Sequence, residues 1–179
     1  DHGAGDVLDS GELRVTPRLT EMSFGLFSHF HSEAERAQKM PLEAAFFKTG
    51  EAREKFYAKA PLGESPMDVQ NRVSPLIGSI LRDHEKGIED HVLVTHGVSL
   101  RAFAMAFMNI DPDRYEAFTN PENCSIYVIE GERGQGYSLR QIFNGETGQA
   151  VNIDWGKRLE GVYLPEVPAH LRLKPPAGP

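Results

Sequence analysis

Val92-Leu93-Val94-Thr95-His96-Gly97-Val98-Ser99-Leu100-Arg101 is the stretch on which the reading of this chain turns. Its apolar, partly β-branched start predicts a short buried strand over 92–95. The run 98–108, apolar on nearly all sides, predicts a helix packed on a sheet. A His-Gly pair falls at the junction. A strand end that feeds a helix start opens at the mouth of a sheet, and the unpaired N–H groups and positive dipole of the helix make it a seat for anions. The plain alternative is a histidine that only caps the helix or packs beneath it, because short motifs also match by chance.

Around this junction the chain alternates helices and strands. Residues 1–12 are rich in Gly and Asp and predict a flexible segment. Leu13-Arg14-Val15 predicts a short strand, followed by a turn at Pro17. Residues 32–60 are helix-forming and charged, broken by Pro41 and Gly50, and read as a helical lid or insertion. Ser65-Pro66 is a helix start, with serine as the cap and proline at the first helical position. Val69, Val73, Leu76, Ile77, Ile80 and Leu81 then recur at helical spacing, so the helix runs to about Lys86 despite Pro75 and ends at Gly87. The β-rich runs 124–130 and 137–143, separated by Gly131, Gly134 and Gly136, predict a hairpin. Beyond Asn144 the pattern fades, and residues 165–179 form a Pro-rich tail. The expected organisation is one domain over 13–164, an α/β three-layer sandwich with a mostly parallel central sheet.

Composition narrows the function. A chain of 179 residues with 40% hydrophobic content can bury one substantial core. Its net charge of −7 argues against a nucleic-acid or membrane-surface role. The single cysteine, Cys124, excludes an intrachain disulfide and reads as a small core residue. No apolar run reaches membrane-spanning length, so a cytoplasmic protein is expected. His29 and His31 form a His-x-His pair, yet no carboxylate or cysteine cluster at ligand spacing completes a metal site. Neither a metal nor a cofactor is expected. Asp68 and Arg72 stand four apart, the spacing of a helix-stabilising ion pair, while Glu64 is an alternative partner for Arg72. Trp155 and Tyr163 read as packing anchors for the tail.

Four ordered segments together carry a resemblance. They are Arg18-Leu19-Thr20-Glu21-Met22-Ser23-Phe24-Gly25, Gly63-Glu64-Ser65-Pro66-Met67-Asp68-Val69-Gln70-Asn71-Arg72-Val73, the Thr-His-Gly-x-x-Leu-Arg segment above, and Asn120-Pro121-Glu122-Asn123-Cys124-Ser125-Ile126. In this order they resemble the histidine phosphatase superfamily, the phosphoglycerate mutase-like family, from about Leu13 to Asn144. The resemblance implies a phosphomonoesterase that works through a phosphohistidine. Glu21 is then the acid that protonates the leaving oxygen and later activates water, and His96 stabilises the transferring phosphoryl group. It further implies that Gly97, through its N–H, and Glu64, Ser65 and Asn123 border the substrate, a small phosphorylated molecule. A phosphoglycerate-type mutase is the near alternative, less favoured because the charge over 32–60 is balanced.

One family motif is not found. Members begin with a strand ending in Arg-His-Gly, whose histidine takes the phosphoryl group, and continue with a helix that supplies another phosphate-binding arginine. Asp1-His2-Gly3 echoes that motif with Asp in place of Arg and no apolar strand ahead of it. The sequence is therefore expected to start partway into the domain. Were the nucleophile strand truly absent, the expectation would shift to a non-catalytic binding protein, with a homodimer as one way to fill the gap in the sheet.

Overall fold

The computed structural model describes residues 13–132 and 136–155. The expected flexible segment 1–12, the tail 165–179 and Tyr163 lie outside the described residues. Five α-helices are described: α1 (Glu33–Lys39), α2 (Pro41–Thr49), α3 (Ala52–Tyr57), α4 (Pro66–His84) and α5 (Gly97–Phe107). Three strands follow, β1 (Ile126–Glu132), β2 (Gly136–Asn144) and β3 (Gln149–Asp154). Short 3-10 turns occupy Pro17–Leu19, Gly25–His29 and Pro112–Ala117.

The helix starts obey local chemistry. The Ser65 hydroxyl accepts from the Asp68 amide at 3.1 Å, and the Asp68 carboxylate accepts from the Ser65 amide at 2.9 Å. This reciprocal cap satisfies two N–H groups that the first turn leaves unpaired. Pro75 is tolerated inside α4 because it and Asn71, whose carbonyl it deprives of a donor, both face solvent. The opposite face of α4, with Val69 and Val73 fully buried, packs on α5.

Helix α5 divides the core. Val98, Ala102 and Phe103 join Val69, Val73 and Met22 on one side. Ala104 and Met105 join Phe56, Ile110, Tyr115, Phe118, Leu139 and Trp155 on the other. A helix apolar nearly all round suits that central position.

The described sheet is an antiparallel meander in the order β1-β2-β3. The hairpin of β1 and β2 forms where the sequence predicts it, with Ile129 opposite Leu139. Its short connection permits antiparallel pairing only. The expected parallel pairing is not found among the described residues, and β3 was not anticipated. The fold is nevertheless α/β, as expected.

Residues 92–95 are not a buried strand. The segment has no regular structure, and Val92 and Val94 are 90% and 85% exposed. A strand needs a neighbour for its backbone donors and acceptors, and a cleft of about 760 Å³ separates this segment from β1 and β2. Leu13-Arg14-Val15 is likewise irregular and exposed, its arginine drawn instead to Asp83 of α4 at 2.7 Å. Cys124 is exposed, with φ of 61°, in the turn that leads into β1 rather than in the core.

Candidate functional site

His96 is the N-cap residue of α5, with extended backbone dihedrals. Its imidazole makes no capping hydrogen bond and is exposed, so the plain capping role does not apply. The amides of the first turn of α5 are thus available beside a free imidazole, and neither cysteine nor acid intrudes in that turn. Gly97 follows. A Cβ placed there would stand 2.8 Å from Oδ1 of Asn120, so glycine is what lets the Asn120 side chain lie against the helix start.

The segment bearing Glu21 is tied to this same helix start. The Thr95 hydroxyl donates to the Leu19 carbonyl at 2.8 Å, and the Ser99 hydroxyl donates to the Thr20 carbonyl at 2.5 Å. Met22, the residue after Glu21, is buried in the core against α4 and α5. Glu21 itself folds its Oε1 back onto the Met22 amide at 2.7 Å. Contacts from residues 95 and 99 therefore bring two segments some 75 positions apart in sequence into one neighbourhood.

A second set of bonds holds the Glu21 segment from α4. Arg72 donates to the carbonyls of Arg18 at 2.5 Å, Thr20 at 2.8 Å and Glu21 at 3.1 Å. Its guanidinium also pairs with Glu64, at 2.8 Å to Oε1 and 3.2 Å to Oε2. Glu64 in turn accepts from the Ser23 amide at 2.9 Å, while its own amide donates to the Ser23 carbonyl at 2.8 Å. Backbones approach so closely here that a Cβ on Gly63 would lie 2.4 Å from the Ser23 carbonyl oxygen. The Arg72 guanidinium bonded to it holds the Glu64 carboxyl below the ordinary carboxylate range, against the opposing effect of partial burial.

The candidate residues thus separate. Glu21, His96 and Gly97 belong to the neighbourhood of the α5 start. Ser65 is buried and committed to its cap, and Glu64 is committed to Arg72 and Ser23. The Asp68–Arg72 pair does not form, because Asp68 is engaged by Ser65 and by Lys59 at 3.1 Å. Asn123 is exposed, and its carbonyl oxygen packs against Gly145 in the turn between β2 and β3. Asn120 was not singled out from sequence, although it opens the segment that was; only its contact with Gly97 distinguishes it. Among the described residues no group of His, Cys, Asp and Glu is arranged to hold a metal ion.

Arg101 was carried by the motif but given no role. It is buried, donates to the Tyr115 carbonyl at 2.8 Å and stacks over that ring at 3.9 Å. Burial pushes the Tyr115 phenol up, Arg101 opposes this, and the charges of Glu116 and Glu21 add to it. The large cleft is a separate feature, since Leu19 and Thr95 border it but Glu21 and His96 do not.

Known proteins resemble this chain in sequence and in fold. Over 138 residues the chain is 33% identical to Phosphoglycerate mutase-like protein AT74 of Arabidopsis thaliana, covering 71% of this chain and 40% of that protein. Over 136 residues it is 31% identical to Broad-range acid phosphatase DET1 of Saccharomyces cerevisiae, covering 73% of this chain and 38% of that one. The chain thus spans about two fifths of the length of these relatives. Among solved structures, a mycobacterial glucosyl-3-phosphoglycerate phosphatase in complex with VO3 superposes with a TM-score of 0.57 at 24% identity, over 73% of this chain and 64% of that one. At that identity the likeness speaks for the fold. Residues 4–144 match the family model of the histidine phosphatase superfamily, branch 1, and the chain belongs to that superfamily.

Proposed function

We propose that this chain carries the acid/base and phosphoryl-stabilising part of a metal-independent phosphomonoesterase. The observation that supports the reading is the double tether from Thr95 and Ser99, which ties the segment before Glu21 to the start of α5, whose N-cap residue is His96. In the reaction a histidine nucleophile takes the phosphoryl group while the P–O bond to the leaving group breaks. Glu21 delivers its proton to the departing oxygen. Glu21 then accepts a proton from water as that water attacks phosphorus and frees the nucleophile, so the carboxyl returns to its starting state. His96 and the Gly97 amide donate to the phosphoryl oxygens that gain charge. His-Gly occurs in the sequence at His2-Gly3 and His96-Gly97, neither preceded by arginine.

A small phosphorylated substrate follows from this chemistry. Hydrolysis is favoured over mutase action by the acid phosphatase among the relatives, while the mutase-like relatives keep intramolecular transfer as the second reading. In the full-length protein, His96→Ala is expected to lower kcat on p-nitrophenyl phosphate by about a hundredfold. Glu21→Gln should impair alkyl phosphates more than this aryl ester, because nitrophenolate leaves without a proton. Unchanged turnover in both variants would overturn the reading. Free phosphate as product, rather than a phosphorylated isomer, decides against the mutase.

A further inference from the structure

We infer that Arg72, braced by Glu64, is the positioning residue that sets the backbone from which the Glu21 carboxylate acts, an inference that rests on the acid/base reading of Glu21. One guanidinium converges on the carbonyls of residues 18, 20 and 21, and its Glu64 partner takes the amide of residue 23. Four of the six backbone units from 18 to 23 are therefore oriented by a single ion pair. Helix support alone does not require this arrangement. A helix-stabilising role would have Arg72 pair with Asp68 one turn earlier, and that pair is absent because Asp68 is spent on Ser65 and Lys59.

The geometry needs arginine specifically. Its planar fork presents several donors in fixed directions, and the two-point contact with Glu64 fixes the plane of the fork. Lysine offers a point charge that can keep Glu64 but not all three carbonyls at once. Thr95 and Ser99 hold Leu19 and Thr20 independently. Loss of the fork therefore releases Glu21 first and loosens the Glu64 carboxylate that takes the Ser23 amide. The Glu21 carboxylate is only one side chain away from that freed backbone, and its Oε1 is referenced to the Met22 amide within it.

The test uses the full-length protein with p-nitrophenyl phosphate and glycerol 3-phosphate as substrates, and amide exchange as a separate reading of the loop. Arg72→Lys is expected to lower kcat on the alkyl ester by about tenfold or more, with a smaller loss on the aryl ester and little change in KM. The Met22 and Ser23 amides should exchange faster, while those of α4 keep their protection. Glu64→Gln should repeat both effects from the other end of the ion pair, which keeps the test decisive if Arg72→Lys does not fold. In a Glu21→Gln background, Arg72→Lys should add no further leaving-group selectivity. Arg53→Gln, which breaks an exposed ion pair with Asp111 and Asp113, should leave both esters unaffected. If Glu21→Gln is leaving-group selective but Arg72→Lys slows both esters equally, or leaves exchange at 22 and 23 unchanged, the positioning role is overturned and the Glu21 reading stands. If Glu21→Gln shows no leaving-group selectivity, the acid/base reading falls and this inference falls with it.

Discussion

At Gly97 the space for a side chain is already taken by the Asn120 amide, 2.8 Å from where a Cβ would stand. Gly97→Ala must therefore displace the Asn120 side chain or shift the start of α5. The crowding misdirects the residue-97 amide, and this is expected to weaken competitive inhibition by inorganic phosphate by about tenfold. Asn120→Ala in the same background should recover part of that loss, and inhibition constants against p-nitrophenyl phosphate would show it. A Gly97→Ala variant with unaltered phosphate affinity would mean that the α5 start is not an anion seat. His96 and Glu21 were singled out from sequence because ordered motifs mark them. The partner of Arg72 was not: residues 64 and 68 both offered carboxylates, and the choice depends on which of them other donors have already claimed.

Elements whose chemistry is local follow the sequence closely. Ser65 begins α4 as expected, and Ser65→Ala should destabilise the protein by about 1 kcal/mol in urea unfolding, because a buried cap loses its hydroxyl. Acid should act on the same region. Glu64 is held below the ordinary carboxylate range first by its Arg72 hydrogen bond, and Asp68 first by the Ser65 amide. Depressed folded-state values mean that the unfolded chain binds protons first. The stability these groups contribute is fully present above the ordinary carboxylate range, about pH 4, and is lost as pH falls through their depressed values. Unfolding midpoints should therefore drop on acidification, and Glu64→Gln should flatten that drop. Where an element depends on a distant neighbour, the sequence misleads. Residues 92–95 have strand composition, yet no ladder partner stands beside them among the described residues, and their valines face outward. β3 was missed for the opposite reason. Val151 and Ile153 are a thin apolar signal, and pairing with β2 is what makes a strand of them.

Across the whole molecule, the larger core cluster ties α3, α5, the 112–117 turn and the sheet together through Phe56, Tyr115, Phe118 and Trp155. Phe56 is fully buried and meets the Tyr115 ring at 5.6 Å, so Phe56→Ala should cost about 3–5 kcal/mol. Trp155, the only tryptophan of the chain, lies 4.3 Å from the Tyr127 ring and 5.2 Å from that of Phe118. Its fluorescence should report the same transition as far-UV circular dichroism, and separate transitions would show that the sheet cluster and the α4–α5 cluster unfold independently. Sequence alone determined the start of α4, the hairpin and the family, and singled out the two residues on which the proposed chemistry is staked, because caps, periodicity and ordered motifs are written in neighbouring positions. Only the tertiary structure decided that Thr95, Ser99 and Arg72 hold the Glu21 segment, that Glu64 rather than Asp68 pairs with Arg72, and that Asn120 lies on Gly97. Each of those contacts joins residues far apart in the chain or chooses among equal chemical partners, and that choice is made by packing geometry.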